Sequence, residues 1–195
     1  MNTEIHRIPL GLSNSYVIRE EGVILVDAGF PGKGEHVQKR LQELAIAPRD
    51  VGLLLATHGH WDHVGSAGEI KEVTGCEVAL NRREKDWLER GLKPMPPGIT
   101  PWGKIFAALL KMYVPFVNFS PASVDVVLED SDYSLESYGI QGRVVHTPGH
   151  SSGSMSLLLD SGHAFVGCVA MNGLPFRIGP GMPCFGDSIS DLRDS

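Results

Sequence analysis

The sequence predicts an α/β fold in which helices flank two β-sheets. Between residues 1 and 80, short apolar runs rich in branched residues alternate with segments of helical periodicity, and this alternation indicates helices packed on a sheet. From residue 124 onward the chain returns to apolar runs joined by short turns that contain glycine. Such a pattern favours a second, mostly antiparallel sheet.

The first 80 residues are predicted to follow the order β-β-β-α-β-α-β. The predicted strands cover residues 4–9, 15–19, 51–60 and 76–80, and residues 22–30 are predicted as a buried strand followed by a loop. The predicted helices cover residues 32–46 and 65–75. Val37, Leu41 and Leu44 recur at helical spacing, which indicates one apolar face of the first helix. Gly75 is placed to end the second helix. The runs VILV and VGLLL are almost entirely apolar, as in buried strands.

A helical insertion interrupts this alternation at about residues 83–120. REKDWLERGL reads as a helix, KPMPPGITP as a connector, and WGKIFAALLKMYVPFV as a strongly apolar helix. The apolar helix is interpreted either as part of the core or as a lid or dimer contact beside a site. We therefore predict a single domain over residues 1–195 that carries this insertion or lid, and that offers residues 102–117 as a homodimer contact.

Composition and charge exclude several classes of function. The chain has 17 Lys and Arg residues against 23 Asp and Glu residues, a formal net charge of −6, and no Lys/Arg-rich run. No nucleic-acid partner is expected, because binding phosphates needs a positive surface. There is no apolar run of the roughly 18 residues that a membrane span needs, no signal-peptide pattern at the N-terminus, and no disulfide framework among three cysteines. We expect a cytoplasmic protein that acts on a small-molecule substrate without a membrane partner.

The stretch THGHWDHVGS (57–66) concentrates metal-binding side chains directly after a buried strand. His58, His60, Asp62 and His63 fall within six positions. Imidazole and carboxylate groups suit zinc, iron or manganese, and ligands in open α/β sheets collect beyond the carboxyl ends of strands. These four residues are therefore predicted to form part of a metal site.

A second histidine motif, HTPGHSSGS (146–154), supplies a further candidate ligand. Its Pro-Gly pair predicts a sharp turn that presents His150. A catalytic zinc site uses three protein ligands and keeps an open position for water. His150 would complete a three-histidine site with His58 and His60, whereas His146 is interpreted as a structural or supporting residue.

These motifs resemble those of the metallo-β-lactamase superfamily, in particular its glyoxalase II-like and lactonase-like hydrolases. VILVDAG, THGHWDH, TPGHSSGS and HAFVGCVAM follow the order of the first four family motifs, and the resemblance covers nearly the whole chain. It implies an αββα sandwich of two mixed β-sheets flanked by helices, with a groove for two metals between the sheets. It also implies that His58, His60 and His150 hold the first metal, and that Asp62 and His63 begin the second site.

The resemblance further implies a hydrolase. Zinc lowers the pKa of bound water to about 7, and the metal-bound hydroxide would attack the carbonyl of a small ester, thioester, lactone or amide. Asp62 would orient the nucleophile and accept its proton, which makes it the catalytic candidate, and Asp27 would brace the metal loop. Zinc, as one or two ions, is the expected cofactor, with iron or manganese as alternatives.

The sequence departs from the family pattern at two places. The fourth motif usually reads Gly-Asp, with an Asp that bridges the metals, but here Gly167 is followed by Cys168. A thiolate is a good zinc ligand, so Cys168 is interpreted either as a ligand of the second metal or as a small buried apolar residue. The fifth motif, a His near the C-terminus, is absent, and His163 is the last histidine. We therefore expect a truncated C-terminal end that lacks part of the family fold, with His163 as a weak candidate for the missing ligand.

Three functions remain open from the sequence. The intact histidine motifs favour a metal-dependent hydrolase, whereas the absent fifth motif favours a degenerate or truncated metal-binding relative with little or no activity. A redox member that uses iron is disfavoured, because a carboxylate in place of Cys168 is needed to complete its two-histidine, one-carboxylate site. The Gly- and Pro-rich stretch 171–183 is predicted to be a loop near the groove mouth, where Arg177 would contact an anion.

Overall fold

The computed structural model describes residues 3–11, 13–172 and 180–195. The strands are β1 (Glu4–Pro9), β2 (Asn14–Arg19), β3 (Val23–Val26), β4 (Val51–Leu55), β5 (Glu77–Asn81), β6 (Val126–Leu128), β7 (Tyr133–Ser134), β8 (Gly142–His146), β9 (Met155–Leu159), β10 (Ala164–Phe165), β11 (Met171–Asn172) and β12 (Pro180–Gly181). The helices are α1 (Gly34–Glu43), α2 (Trp61–Val64), α3 (Ala67–Thr74), α4 (Lys85–Glu89), α5 (Pro101–Tyr113) and α6 (Ile189–Asp194). The predicted order of the first half is confirmed, with α2 as an additional short helix.

The first sheet has six strands in the order β1-β2-β3-β4-β5-β6. β1, β2 and β3 pair antiparallel, whereas β3, β4, β5 and β6 pair parallel. Parallel strands are covered by other elements on both faces and therefore read as continuous apolar runs. This explains why VILV in β3 and LLL in β4 show no alternation and are fully buried.

The second sheet has the order β10-β9-β8-β7, and each of its described pairs is antiparallel. Its strands are joined by residues 135–141, 147–154 and 160–163, which are too few for the crossover that a parallel pair needs. The expectation of a mostly antiparallel second sheet is confirmed. The resemblance implied two mixed sheets. Among the described strands, the first sheet combines parallel and antiparallel pairs, whereas the second sheet is antiparallel.

Two apolar layers hold the sheets and helices together. Leu54 on β4 packs in one layer with Leu41 of α1 and Ile70 of α3, whereas its neighbours Leu53 and Leu55 pack in the other layer with residues of the second sheet. Successive side chains of a strand point to opposite faces, so β4 is buried between helices on one side and the second sheet on the other. Its carboxyl end therefore opens at the edge of the sandwich.

The prediction of a strand over residues 51–60 is wrong beyond residue 55, because the side chain of Asp27 takes a backbone hydrogen bond away from the sheet. The backbone N–H of Ala56 still donates to the neighbouring strand, at Ala79 O. The N–H of Thr57 instead donates to the carboxylate of Asp27 at 2.7 Å. From this point the backbone leaves the sheet and forms the loop that carries the first histidines.

The helical insertion is the crossover between the parallel neighbours β5 and β6. It contains α4, α5 and the 3-10 turn Val114–Phe116. The hydroxyl of Thr100 accepts a hydrogen bond from Gly103 N at 2.9 Å and caps the start of α5, as expected at a helix N-terminus. Val114 packs with Trp61, the first residue of α2. No helix in the described ranges is both long and apolar enough to cross a membrane.

Candidate metal centre

Three buried histidines converge where β4 and β8 end. His58 and His60 lie in the loop between β4 and α2, and His150 lies in the loop between β8 and β9. One ring nitrogen from each lies within 4.8 Å of the others, and His60 Nδ1 is 3.0 Å from His150 Nε2. Two nitrogen ligands of a tetrahedral zinc ion lie about 3.3 Å apart. The spacing of His60 and His150 therefore fits a shared ion.

Hydrogen bonds determine which ring nitrogen of His58 and of His150 is available to bind a metal. His58 Nδ1 lies 3.1 Å from Thr57 Oγ1, whose own proton is directed to Asp27, so His58 donates from Nδ1. Its Nε2 is buried and has no partner among the described residues. His150 Nδ1 donates to Phe185 O at 3.1 Å. In both rings Nε2 is left with a lone pair, which is the form that binds a metal.

The electrostatics of this first group favour the neutral ring for His58 and His60 but not for His150. Burial lowers the pKa of His58 and of His60 well below the usual histidine value, and the neighbouring histidines lower both further. Burial also lowers the pKa of His150, but the interaction with Cys168 outweighs it and the net shift is upward. Metal binding requires deprotonated ligands, so His58 and His60 are prepared for a cation without first losing a proton.

A second group joins His58 to His63 and Cys168. Cys168 lies in the 3-10 turn Gly167–Val169 after β10, and its Sγ is 3.2 Å from His63 Nε2. Cys168 belongs to none of the three apolar clusters of the described residues. Its position is therefore that of a candidate ligand, and it shares His58 with the first group.

The thiol and the imidazole of this second group shift each other's proton affinity. Burial raises the pKa of Cys168, but the charges of His63 and His150 outweigh it and bring the value to about 7. Burial lowers the pKa of His63, but Cys168, Asp27 and Asp62 outweigh it and the net shift is upward. Without a metal, the pair therefore favours thiolate and imidazolium. A cation would replace the imidazolium proton as the partner of the thiolate.

The remaining predicted residues lie at the edge of the centre or outside it. Asp62 is in neither group: its Oδ2 is 3.8 Å from His63 Nε2 and its side chain is 33% exposed. His146 is likewise in neither group, and its Nε2 donates to Ser152 O at 2.9 Å, which supports the loop that carries His150. His163 is exposed beside Ser161. Arg177 lies outside the described residues.

Asp27 supports both groups of candidate ligands through hydrogen bonds to Thr57, next to His58, and to His63. It directly follows β3 and has a φ of 60°, a conformation that Asp tolerates better than most residues. Its carboxylate accepts hydrogen bonds from Thr57 N at 2.7 Å and from His63 Nδ1 at 2.8 Å. These bonds hold the histidine loop and direct His63 Nε2 towards Cys168. The contacts are those of a brace for metal ligands.

Asp27→Asn is expected to weaken metal binding by about 10- to 100-fold, because an amide cannot accept from both donors with the strength of a carboxylate. Competition with a chromophoric chelator measures the affinity. Asp132→Asn is the control, since Asp132 is an exposed partner of Arg143. Unchanged affinity in Asp27→Asn would contradict the bracing role.

Sequence reasoning missed Glu84. This residue is completely buried at the start of α4. One carboxylate oxygen accepts from Gly59 N, between the first two histidines, and the other accepts from Gly153 N at 2.9 Å, in the loop of His150. Burial raises its pKa, opposed by hydrogen bonds from Ser151, Gly59 and Gly153. Glu84 therefore ties together the two loops that supply the first group.

Aromatic rings enclose the histidines. Trp87 of α4 stacks on His60, with ring centroids 5.6 Å apart and planes 16° apart. Trp61 meets Phe30 edge to face at 4.9 Å and packs with Val114 and Val117. Trp61 therefore serves packing, while Trp87 restricts the rotation of His60.

Comparison with known proteins identifies relatives over most of the chain. Residues 8–192 match the family model of the metallo-beta-lactamase superfamily. A probable metallo-hydrolase of Methanocaldococcus jannaschii is 28% identical over 149 residues, which cover 76% of this chain and 63% of that protein. The hydroxyacylglutathione hydrolase of Haemophilus influenzae is 25% identical over 181 residues, which cover 89% of this chain and 74% of that protein.

A solved structure agrees with the fold. The subclass B3 metallo-beta-lactamase of Bradyrhizobium japonicum superposes with a TM-score of 0.62 and 26% sequence identity, covering 93% of this chain and 64% of that chain. The αββα sandwich is thereby confirmed. The chain spans 62–63% of the length of the three probable metallo-hydrolases that it matches.

Proposed function

Because this chain belongs to the metallo-β-lactamase superfamily, we propose that it is a metal-dependent hydrolase with its first ion held by His58, His60 and His150. One observation carries the proposal. The three rings are buried together, and His58 Nε2, with its lone pair, has no partner among the described residues. A buried polar atom without a partner costs free energy, and a metal at this point would remove that cost.

The bound metal would lower the pKa of a water molecule and polarise a carbonyl group. We propose a small ester, thioester, lactone or amide as the substrate. Two relatives support hydrolysis by their names, one as a hydroxyacylglutathione hydrolase and one as a metallo-beta-lactamase. The net charge of −6 speaks against nucleic-acid phosphates as the substrate, because binding them needs a positive surface.

Asp62 fits the role of proton acceptor. Its carboxylate lies 3.8 Å from His63 Nε2 and is partly open to solvent, while its backbone carbonyl accepts from Ser13 Oγ at 2.6 Å. This bond holds the residue in place while leaving the carboxylate free to receive a proton from the attacking water.

Zinc is the metal that the donor set favours, with His63 and Cys168 as ligands of a second ion. Imidazole nitrogens and a thiolate suit zinc, whereas manganese prefers oxygen ligands. Cys168 Sγ lies 3.2 Å from His63 Nε2, and Asp62 Oδ2 lies 3.8 Å from the same nitrogen. Cys168 would supply the thiolate that holds this ion.

The zinc content of the purified chain tests both sites. We expect about two zinc ions per chain in the native protein and about one in Cys168→Ser, because serine is a much weaker zinc ligand than a thiolate. Cys184→Ser is the matched control, since Cys184 belongs to neither group. Absence of zinc from all three proteins after incubation with zinc would refute the proposed metal centre.

A second candidate function is a metal-binding relative with little or no activity. The observation that favours it is Cys168, which cannot bridge two ions in the way that a carboxylate does. A panel of chromogenic esters, thioesters and lactones separates the two functions, with the zinc-loaded chain as the enzyme. Turnover that disappears in Asp62→Ala supports the hydrolase, whereas a loaded chain without turnover on any class supports the alternative.

A further inference from the structure

The described part of the chain leaves one long apolar face open. Five large side chains of α5 and the following turn point to solvent, with exposed fractions between 50% and 79%. They are Trp102, Ile105, Leu109, Met112 and Phe116. We name this set the apolar seam. The opposite side of the same helix, with Gly103 and Ala107, is buried against the protein.

The spacing of the apolar seam is that of a helix–helix contact. Its members follow one another at intervals of three, four, three and four residues, the a/d spacing of a coiled coil. The spacing therefore favours another helix as the occupant.

The charges around the apolar seam permit a second copy of the same helix. Lys104 and Lys111 are the charged residues of α5, and both fall outside the seam and its two flanks. The flanking positions hold Phe106 and Tyr113 on one side and Ala108 and Pro115 on the other. Two identical seams would therefore meet without opposing like charges, and the small Ala108 allows a close approach.

The size of the face matches one half of a stable interface. Tyr113, beside the seam, is also 56% exposed. If a large side chain has about 200 Å² of surface, the exposed fractions of the five seam residues and Tyr113 correspond to an open apolar area of roughly 700 Å². A standard interface buries about 800 Å² per partner. The largest patch on an ordinary monomer is about 300–600 Å². The face is thus larger than a monomer commonly leaves open.

We propose that two copies of this chain pair through the apolar seam around a two-fold axis near Leu109. Leu109 is the middle member of the five, so such an axis brings it against the same residue of the second copy. Closed two-fold pairing uses one patch on both subunits. The inference is independent of the proposed hydrolase activity.

Analytical ultracentrifugation of the full chain at micromolar concentrations tests the pairing. We expect a dimer for the native chain and an increase of at least about tenfold in the dissociation constant for Leu109→Glu, because two carboxylates would then meet at the centre. Val73→Glu is the matched control, since Val73 is an exposed apolar residue on α3. We expect its dimer to be unchanged.

A mixture of two variants tests the position of the two-fold axis. Leu109→Glu and Leu109→Lys should each be monomeric, and their equimolar mixture should form heterodimers, because opposite charges would face each other at the axis. Circular dichroism checks that both variants are folded. Failure of the folded variants to form heterodimers would overturn the proposed axis.

Other occupants give different results. A native chain that remains monomeric at all concentrations would overturn the proposal. A monomer that sediments with vesicles of phosphatidylcholine and phosphatidylglycerol, and loses this property in Leu109→Glu, would assign the seam to a lipid surface instead. A dimer that survives in Leu109→Glu would assign the pairing to another surface and would also overturn it.

Discussion

His58→Ala is expected to lower kcat/KM by roughly a thousandfold, the largest loss among the single substitutions considered, because it removes the ligand shared by both groups of the centre. His58 contributes one nitrogen to the group with His60 and His150 and to the group with His63 and Cys168. Its loss should therefore reduce the zinc content at both sites, whereas His60→Ala should affect mainly the first. Elemental analysis of the two variants measures this difference.

The metal-free stability separates loss of a ligand from loss of the fold. His58→Ala removes the hydrogen bond between Nδ1 and Thr57 Oγ1, but the Thr57 hydroxyl keeps its bond to Asp27 and Nε2 had no partner among the described residues, so no donor is left unpaired. We expect the free energy of unfolding of the metal-free protein to fall by only about 1–2 kcal/mol. His36→Ala, on the exposed side of α1, is the control. A His58→Ala chain that keeps its full zinc content would refute the assignment.

Glu84→Ala is expected to have the largest effect on stability. The substitution leaves the N–H groups of Gly59 and Gly153 without their carboxylate partner, and each unpaired buried donor costs about 1–3 kcal/mol. We expect the free energy of unfolding to fall by about 3–4 kcal/mol, a large part of the 5–15 kcal/mol that is typical of a domain. Urea denaturation of the metal-free chain measures the change.

The loops of Gly59 and Gly153 should also shift relative to each other, because Glu84 no longer connects them. Zinc affinity should therefore fall together with stability. Asp86→Ala is a close control, because Asp86 lies two residues away on the same helix and is exposed. Glu84→Gln retains one acceptor and should give an intermediate loss. Equal stability of Glu84→Ala and Asp86→Ala would show that the two loops do not depend on the carboxylate.

The fold was predictable because its main determinants are local. The continuous apolar runs of β3 and β4 and the helical spacing of Val37 and Leu41 depend only on neighbouring residues, and the structure places them as expected. The same holds for the loop of His58 and His60, since the ligand types follow a buried strand directly.

The support of the centre was harder to predict because it depends on contacts between distant segments. Glu84 stands in the charged run NRREKD, which in sequence looks like an exposed helix start. Only the packing of α4 beneath the loops of His60 and His150 makes Glu84 a buried brace. The sharing of His58 by two groups is likewise a matter of tertiary distances, and no spacing rule along the chain indicates it.

The glycines of the centre limit how its metal preference could be redesigned. A Cβ atom on Gly167 would lie 2.6 Å from Thr57 Oγ1, and one on Gly153 would lie 2.8 Å from Glu84, distances that real side chains do not adopt. Substitutions of Gly153 or Gly167 therefore cannot readily be used to adapt the centre to another ion. Asp62 and Cys168 are only partly buried, so an engineer could exchange these two side chains while the histidine framework stays in place.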